Sequence, residues 1–380
     1  MVCSTQTPGR FWRHGVRLLV LGLSLGRLTV GFAAEPKLEM VYQLPLAPAG
    51  LTITADNHFL LSVSREERPQ NRVIEVGKGG TSRPFPTVDI SQASAGQPLL
   101  LDAVEGMQID KAGVVWMLDN GRRSEYAPKV VAWDSAKHKL HRVYNLAFPA
   151  VLPGSLLDDL AVDPEMPFIY MSDPAAGADA ALVVLDLATG LAHRVLQGHP
   201  SVVPVAGLEL VIDGQKMETR RLDGSMADPQ GAVSALTLDK KGEWLYFAPV
   251  RSLKLYRVRT EHLRDVNMLP EKLAGLVEEY SAKPVSDGMS MDSKGNIYVS
   301  DLAAKGIGMI SAGKKDYRIL AAEPRLLWPG GLCFGADGWL YFFTNTARTR
   351  PPVSPGGPLP PPGMNYLFRL ETPASGRVGD

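Results

Sequence analysis

The sequence contains little cysteine and little histidine, and this argues against several kinds of site. Of the 380 residues, two are cysteines (Cys3 and Cys333) and seven are histidines. Cys3 lies in a segment that we expect to be removed, so Cys333 can form no internal disulfide, and its place in the alternating stretch GLCFG predicts a core residue. The histidines form no HxH or HxxxH pair, which argues against the usual zinc sites.

Phosphate-binding loops and an excess of basic charge are also missing. The stretch GKGG at Gly77 lacks the flanking strand and helix that a phosphate-binding loop needs. Lysine and arginine together number 40, and aspartate and glutamate also number 40. This balance gives no reason to expect a nucleic acid as a partner.

One long apolar run lies near the N-terminus and has the features of an export signal. Three arginines precede LLVLGLSLG, and small residues follow it in VGFAAEP. This order is typical of a signal peptide, here residues 1–34, although a retained anchor is the alternative. Arg27 interrupts the run and leaves it short for a membrane-spanning helix. We expect a secreted or periplasmic protein, free of the membrane after cleavage, with one domain at 35–380 and a proline- and glycine-rich loop at 349–363.

A hairpin pattern repeats six times along the chain. Each copy has two alternating apolar stretches around a short turn, as in SDGMSMDSKGNIYVSD. The copies begin at Gly50, Gly106, Leu160, Ala235, Gly288 and Gly331. Their turns lie 43 to 76 residues apart, and a four-stranded propeller blade needs roughly 40 to 50 residues.

The repeats predict an all-β protein with the architecture of a six-bladed β-propeller. Two β-sandwiches are the alternative, but they would not require six hairpins of one design. The segments LEMVYQLPL near the start of the domain and YLFRLET near its end are strand-like and have no blade of their own. We therefore expect the last blade to combine strands from both ends of the chain, which removes exposed sheet edges.

The residue before the innermost strand of each blade is expected to face one mouth of the central channel. In chain order these residues are Ala49, Glu105, Asp159, Ser234, Asp287 and Gly330. A carboxylate in this position can simply cap its loop by accepting backbone N–H bonds. Three carboxylates at one mouth, however, raise one another's pKa unless a cation offsets their charge. The ring therefore predicts a bound partner, either a divalent ion or a protonated amine.

Several segments resemble those of a known family. EGMQIDKAGVVWMLDNG, LLDDLAVD, SDGMSMDSKGNIYVSD and LLWPGGLCFGADGWLYFFTN are similar to hallmark segments of the yellow and major royal jelly protein family, in particular its bacterial members, often labelled dopachrome tautomerase-related. The resemblance runs from about Leu38 to Leu370 and implies a secreted six-bladed propeller with a small molecule in its central cavity. Some insect members bind biogenic amines there, and others accelerate dopachrome rearrangement.

The resemblance also bears on single residues. It matches Asn345, in FFTN, to an asparagine that the family places after the last channel-side hairpin. The sequence departs from the pattern at two ring positions. Ser234 stands where bacterial relatives usually have aspartate, and Gly330 stands where they have an acid.

We therefore expect the channel to bind a small molecule, either an amine or a quinone-like compound. The residues expected to hold it are Glu105, Asp159, Ser234, Asp287 and Asn345. In an isomerase of the dopachrome type, Asp287 with Glu105 or Asp159 beside it would be the base. Asn345 would then donate a hydrogen bond to the developing oxyanion.

A second, more distant resemblance is to calcium-dependent lactonases of the gluconolactonase type, which share the six-bladed design. It matches Glu105 and Asp287 to two of the calcium ligands and Asp159 to a substrate-contacting asparagine. In this alternative a Ca²⁺ ion binds Glu105, Asp159 and Asp287 together with water, and no other cofactor is expected. Calcium prefers about six to eight oxygen ligands, and Gln230 and Ser234 are the polar candidates for the ligand that is missing from the pattern. A propeller that serves only as a protein-interaction scaffold is the third alternative.

Overall fold

The computed structural model describes most of the domain that the sequence predicts. The described residues are 36–67, 69–92, 101–121, 127–175, 178–212, 214–217, 219–220, 226–227, 231–349 and 363–380. The predicted signal segment 1–34 and nearly all of the predicted loop at 349–363 lie outside them. Among the residues described, no helix has the length and apolar character needed to cross a membrane.

Six four-stranded antiparallel sheets form the six blades of a propeller, as the repeats predict. Blade 1 consists of β2 (Pro48–Ile53), β3 (Phe59–Val63), β4 (Val73–Val76) and β5 (Ser82–Pro84). Blade 2 consists of β6 (Val104–Ile109), β7 (Val114–Asp119), β8 (Lys129–Asp134) and β9 (Lys139–Asn145). Blade 3 consists of β10 (Leu160–Val162), β11 (Phe168–Asp173), β12 (Ala181–Asp186) and β13 (Ala192–Val195).

The second half of the chain completes the ring. Blade 4 consists of β18 (Val233–Leu238), β19 (Trp244–Pro249), β20 (Lys254–Arg259) and β21 (Glu278–Ala282). Blade 5 consists of β22 (Met289–Met291), β23 (Ile297–Asp301), β24 (Gly306–Ile310) and β25 (Tyr317–Ala322). Blade 6 consists of β26 (Pro329–Phe334), β27 (Leu340–Thr344), β28 (Asn365–Leu370) and β1 (Leu38–Leu44).

Short elements connect the blades. Two small ribbons lie between blades 3 and 4 in the sequence and pair β14 (Val211–Ile212) with β15 (Gln215–Lys216) and β16 (Thr219–Arg220) with β17 (Met226–Ala227). The helices are α1 (Val88–Ser91), α2 (Thr260–Arg264) and α3 (Pro270–Ala274). Single 3₁₀ turns cover Arg65–Glu67, Lys78–Gly80 and Thr346–Thr349.

Turn chemistry explains why the channel-side hairpins form. Five of the six predicted turn positions have left-handed backbone, with φ between 60° and 82°, and they are Asn57, Gly113, Gly242, Gly295 and Gly338. Glycine and asparagine adopt this conformation more easily than other residues. In blade 5, the Asp292 carboxylate accepts the N–H groups of Lys294 and Asn296, both at 2.9 Å. The aspartate thus stabilises the turn, as expected of a carboxylate at this point of a hairpin.

The closing blade combines both ends of the chain. Strand β1 pairs with β28 in antiparallel register, from Leu38 opposite Leu370 to Leu44 opposite Asn365. The side chain of Leu44 packs in a core cluster that blade 6 shares with blade 1. The predicted closure is confirmed, and the alternative of two sandwiches is wrong.

Apolar side chains from facing sheets of neighbouring blades form the core. Blades 2 and 3 share one cluster, in which Leu118 and Val130 lie with Ile169 and Val183. Cys333 is 2% exposed and lies in the cluster between blades 6 and 1, where burial raises the pKa of its thiol. The prediction that Cys333 is a core residue is confirmed.

Candidate functional site

Glycines let the innermost strands of neighbouring blades approach closely at one end of the channel. A Cβ atom on Gly106 would lie 2.8 Å from the Cα atom of Asp159 in blade 3. A Cβ atom on Gly50 would lie 2.1 Å from the carbonyl oxygen of Glu105 in blade 2. Only glycine fits such contacts, and the ring residues, which lie at or just before the start of the innermost strands, are therefore close together. This packing explains why a glycine follows the ring residue in blades 1 and 2.

Two adjoining cavities occupy this end of the channel. The inner one measures about 760 Å³ out to open solvent, and the outer one about 680 Å³. Ala49, Asp159 and Gly330 border the inner cavity, Glu105 borders the outer one, and Ser234 and Asp287 border both. The outer cavity is lined by six charged residues, which we call the mouth cluster: Arg65, Glu66, Glu105, Asp158, Asp287 and Arg348.

Asp287 is held in place by two donors from neighbouring blades. The Ser234 hydroxyl lies 2.6 Å from Asp287 Oδ1, and the indole Nε1 of Trp328 donates to Asp287 Oδ2 at 2.5 Å. Ser234 Oγ also makes a hydrogen bond with Asp158 Oδ2. One serine therefore links the carboxylates of blades 3 and 5.

Asp159, which the sequence places in the ring, directs its carboxylate to backbone groups. Its Oδ1 accepts the N–H of Leu160 at 2.9 Å, and its Oδ2 accepts the N–H of Leu236 at 3.2 Å. Burial raises the pKa of Asp159 to about 7, although these N–H groups act in the opposite direction. Its neighbour Asp158, which sequence reasoning missed, lies in the mouth cluster instead.

Arg348 supplies a positive charge to the mouth cluster. Its Nη2 lies 3.6 Å from Asp158 Oδ1, and its side chain is 39% exposed because it borders the cavity. Desolvation lowers the pKa of Arg348, but Asp287, Asp158 and other carboxylates outweigh it and raise the pKa. The protein therefore supplies part of the positive charge that the sequence led us to expect from a ligand.

The arginines of the mouth cluster were missed because they lie outside the repeated hairpins. Arg65 and Arg348 each lie on a 3₁₀ turn that follows the second strand of a blade, in blades 1 and 6. In an antiparallel hairpin, the end of the second strand lies beside the start of the first. A search of the residues that follow the second strand in every blade would have found both arginines.

The mouth cluster contains more acids than bases. Its four carboxylates face two guanidinium groups. Burial raises the pKa of Glu105 from 4.5 to about 7, Asp158 adds to the rise, and Arg348 and Arg65 oppose it. Burial also raises the pKa of Asp158, and the charge of Asp287 adds to the rise. The cluster therefore holds protons or carries surplus negative charge at neutral pH.

Asn345 positions the turn that carries Arg348. Its Oδ1 accepts the N–H groups of Ala347 at 3.0 Å and of Arg348 at 3.3 Å. Its Nδ2 donates to the carbonyl oxygen of Pro48 in blade 1 at 2.8 Å. Asn345 borders the inner cavity, and its role as a donor to an oxyanion stays a prediction.

Asn120 follows the second strand of blade 2 and borders the outer cavity. Its Nδ2 donates to the carbonyl oxygen of Leu157. Its Oδ1 has no hydrogen-bond partner among the described residues, although the residue is 2% exposed. A buried acceptor without a partner is rare in native proteins, and a donor from a bound molecule would satisfy it.

A calcium ion on Glu105, Asp159 and Asp287 does not fit these contacts. Backbone N–H groups use both carboxylate oxygens of Asp159, and Ser234 and Trp328 use those of Asp287. Within the described part of the chain, no group of three His, Cys, Asp or Glu side chains could hold a metal ion. Gln230, the other candidate ligand, lies outside the described residues.

Replacing Glu105 by glutamine is expected to stabilise the protein above neutral pH. A carboxyl group whose pKa rises from 4.5 to about 7 on folding binds its proton more tightly in the native state. Glu105 therefore costs stability as the pH rises through this range, and the whole cost is present above pH 7. Glu105→Gln should raise the free energy of unfolding at about pH 8 by about 1–3 kcal/mol and change it little at about pH 4.5.

Urea denaturation of wild type and Glu105→Gln at both pH values measures this difference. Glu165→Gln serves as the control, because the Glu165 side chain is 61% exposed and should show no such pH dependence. An equal effect of Glu105→Gln at both pH values would contradict the prediction.

Comparisons with known proteins agree with this architecture. The family model described as major royal jelly protein matches residues 103–336. No sequence among the curated proteins matches the chain. Of the solved structures, a luciferin-regenerating enzyme superposes with a TM-score of 0.54 at 11% identity and covers 90% of this chain and 98% of its own.

Two further structures are similar to the chain. A gluconolactonase from Xanthomonas campestris superposes with a TM-score of 0.50 at 15% identity, covering 89% of this chain and 90% of its own. Regucalcin from Agrobacterium tumefaciens, described as a calcium-binding protein, superposes with a TM-score of 0.50 at 12% identity, covering 89% and 95%. At these identities the likeness concerns the fold alone.

Proposed function

The chain belongs to the major royal jelly protein family, and we propose that it binds a small molecule with a protonated amine at the mouth of its channel. The observation that carries this proposal is the surplus of carboxylates over guanidinium groups in a cavity open to solvent. An ammonium group brings one positive charge and three hydrogen-bond donors. Both match the acids of the mouth cluster.

Two uncharged groups support an amine with an aromatic body. The Trp328 side chain borders both cavities and offers an apolar surface next to Asp287. Asn120 Oδ1 is an acceptor without a partner among the described residues, and a hydroxyl on the ligand could donate to it. Tyramine combines an ammonium group, an aromatic ring and a hydroxyl, and is a suitable probe.

The alternatives have less support from the site. A lactonase of the gluconolactonase type needs a metal ion, and the contacts of Asp159 and Asp287 do not fit one. A scaffold propeller needs no charged groups inside its channel, and burying them is costly. The proposed export by segment 1–34 agrees with a ligand taken up outside the cytoplasm, and mass spectrometry of the mature N-terminus tests it.

Tyramine is expected to raise the melting temperature of the purified domain, because a ligand that binds only the native state stabilises it. The control ligand 4-ethylphenol keeps the aromatic body but lacks the ammonium group, so it should have little effect. Asp287→Asn is expected to weaken tyramine binding by about 1–3 kcal/mol, the scale of a lost charge-assisted contact. Equal melting shifts with tyramine and 4-ethylphenol, or no shift with either, would overturn the proposal.

A second candidate function is isomerisation of dopachrome-like compounds. The observation in its favour is the pKa of Glu105, about 7, because a base that takes a proton from carbon works best when its pKa is near the working pH. A stopped-flow assay is expected to show dopachrome loss above the buffer rate, and Glu105→Gln should slow it at least about tenfold. A wild-type rate equal to that of buffer would exclude this activity.

A further inference from the structure

Ser234 makes hydrogen bonds with two carboxyl groups but has one hydrogen to donate. Its Oγ lies 2.6 Å from Asp287 Oδ1 and within hydrogen-bond distance of Asp158 Oδ2. A serine hydroxyl donates one hydrogen and accepts through its lone pairs. If both carboxyl groups were ionised, one of them would face the serine oxygen with no hydrogen between the two atoms.

The remaining contacts are satisfied with the missing hydrogen on either carboxyl group. With the hydrogen on Asp287 Oδ1, Asp287 donates to Ser234 Oγ, Ser234 donates to Asp158 Oδ2, and Trp328 Nε1 donates to Asp287 Oδ2. If Asp158 is protonated on Oδ2, it donates to Ser234 Oγ, and its Oδ1 faces Arg348 Nη2 at 3.6 Å. In either arrangement every hydrogen bond from Asp158 through Ser234 to Asp287 has a donor and an acceptor.

Other charged groups act on this pair from the surrounding blades. Arg348 and Arg65 favour the ionised form of Asp158, whereas burial and Asp287 favour the protonated form and prevail. Burial lowers the pKa of Lys283, which is 4% exposed, to about 7, and Asp287 in the same loop opposes this change. Asp158 in turn raises the pKa values of Glu105 and Asp159, with Glu66 adding to the former and Asp380 to the latter.

We propose that Asp158, Ser234 and Asp287 hold one proton in common, and that a cation binding at the mouth cluster releases it to the solvent. The second half of this proposal rests on the proposed amine binding. A positive charge beside the pair removes the electrostatic reason for keeping the proton. Amine affinity then rises with pH through the range in which the free pair loses its proton.

Infrared spectroscopy of the ligand-free protein tests the shared proton at neutral pH. The wild type is expected to show a carbonyl band of a protonated carboxyl group that both Asp158→Asn and Asp287→Asn lack, because each variant removes one of the two carboxyl groups that hold the proton. Asp134→Asn is the control, since its hydrogen bonds with Lys137 lower the pKa of Asp134 and it should contribute no such band. Glu105 and Asp159, whose pKa values are about 7, also give such bands, so the informative band is the one that Asp158→Asn lacks. Persistence of that band in Asp287→Asn would show a proton that burial alone holds on Asp158, and would overturn the sharing.

Titration calorimetry with tyramine tests the release of the proton. Measured at pH 7 in two buffers of different ionisation enthalpy, the wild type is expected to release about one proton more per bound tyramine than Asp158→Asn does. Equal release by the two proteins would overturn the coupling while leaving amine binding intact. No heat and no melting shift with tyramine would overturn the proposed function together with the coupling, and the infrared result would still decide whether the proton is shared.

Discussion

Replacing Leu44 by aspartate is expected to lower the free energy of unfolding by about 3–5 kcal/mol. Leu44 is 4% exposed and lies at the end of β1, in the cluster that joins blades 6 and 1. The substitution removes a buried leucine, which alone costs about 2–5 kcal/mol, and places a carboxylate among apolar side chains. Because β1 closes the ring, the loss should affect the whole domain in one cooperative transition.

Met40→Asp is the matched control on the same strand. The Met40 side chain is 47% exposed and its sulfur lies 3.6 Å from Arg325 Nη1, so an acid is tolerated there and should cost less than about 1 kcal/mol. Urea denaturation of both variants measures the difference. Equal stability of the two variants would mean that β1 does not close the ring.

Replacing Asp119 by alanine is expected to lower the free energy of unfolding by about 3–5 kcal/mol. Asp119 is fully buried and pairs with Lys129 Nζ at 2.9 Å, where the lysine side chain is 4% exposed. It also accepts the N–H groups of Asp102 at 2.9 Å and Ala103 at 2.8 Å. The substitution removes the carboxylate from a buried ammonium group and from both N–H groups, and it disturbs the turn that carries Asn120.

Glu165→Ala is the control for this prediction. Glu165 pairs with Lys111 at 3.5 Å, but both side chains are more than half exposed, and such a pair contributes about 0–1 kcal/mol. Thermal or urea denaturation of both variants gives the comparison. If Asp119→Ala lowers the free energy of unfolding by less than about 1 kcal/mol, the buried ion pair contributes little to stability.

The fold could be predicted from the sequence because its determinants are local. Each hairpin carries its own alternation of apolar residues and a turn residue, such as Gly113 or Gly295, that adopts left-handed backbone. Closure could be predicted because β1 and β28 were strand-like segments without partners. Both features depend on residues near one another in sequence or on simple counting of strands.

The site could be predicted only in part. The sequence predicts that Glu105, Ser234 and Asp287 face the channel, and all three border the cavities. It could not tell which of two adjacent aspartates faces the mouth, because neighbouring residues at a strand start point in different directions. Asp159 points to backbone N–H groups, and Asp158 lies in the mouth cluster.

The hairpins also do not predict the positive charge of Arg348, which faces the acids of the mouth cluster. Arg348 meets Asp158 across the channel from a turn 190 positions later in the chain, and only the closed ring brings the two together. The sequence alone therefore predicts an external cation at the ring of acids, whereas the protein itself neutralises part of the negative charge. A cationic ligand would neutralise the negative charge that the arginines leave at the mouth cluster.

A crystal structure of the domain with tyramine tests the central claim most directly. The account predicts a tyramine molecule at the mouth cluster, with its ammonium nitrogen about 3 Å from a carboxylate oxygen of Glu105, Asp158 or Asp287 and its ring beside Trp328. The account is contradicted if tyramine binds elsewhere on the propeller. It is also contradicted if the mouth cluster holds no tyramine at a tyramine concentration that raises the melting temperature.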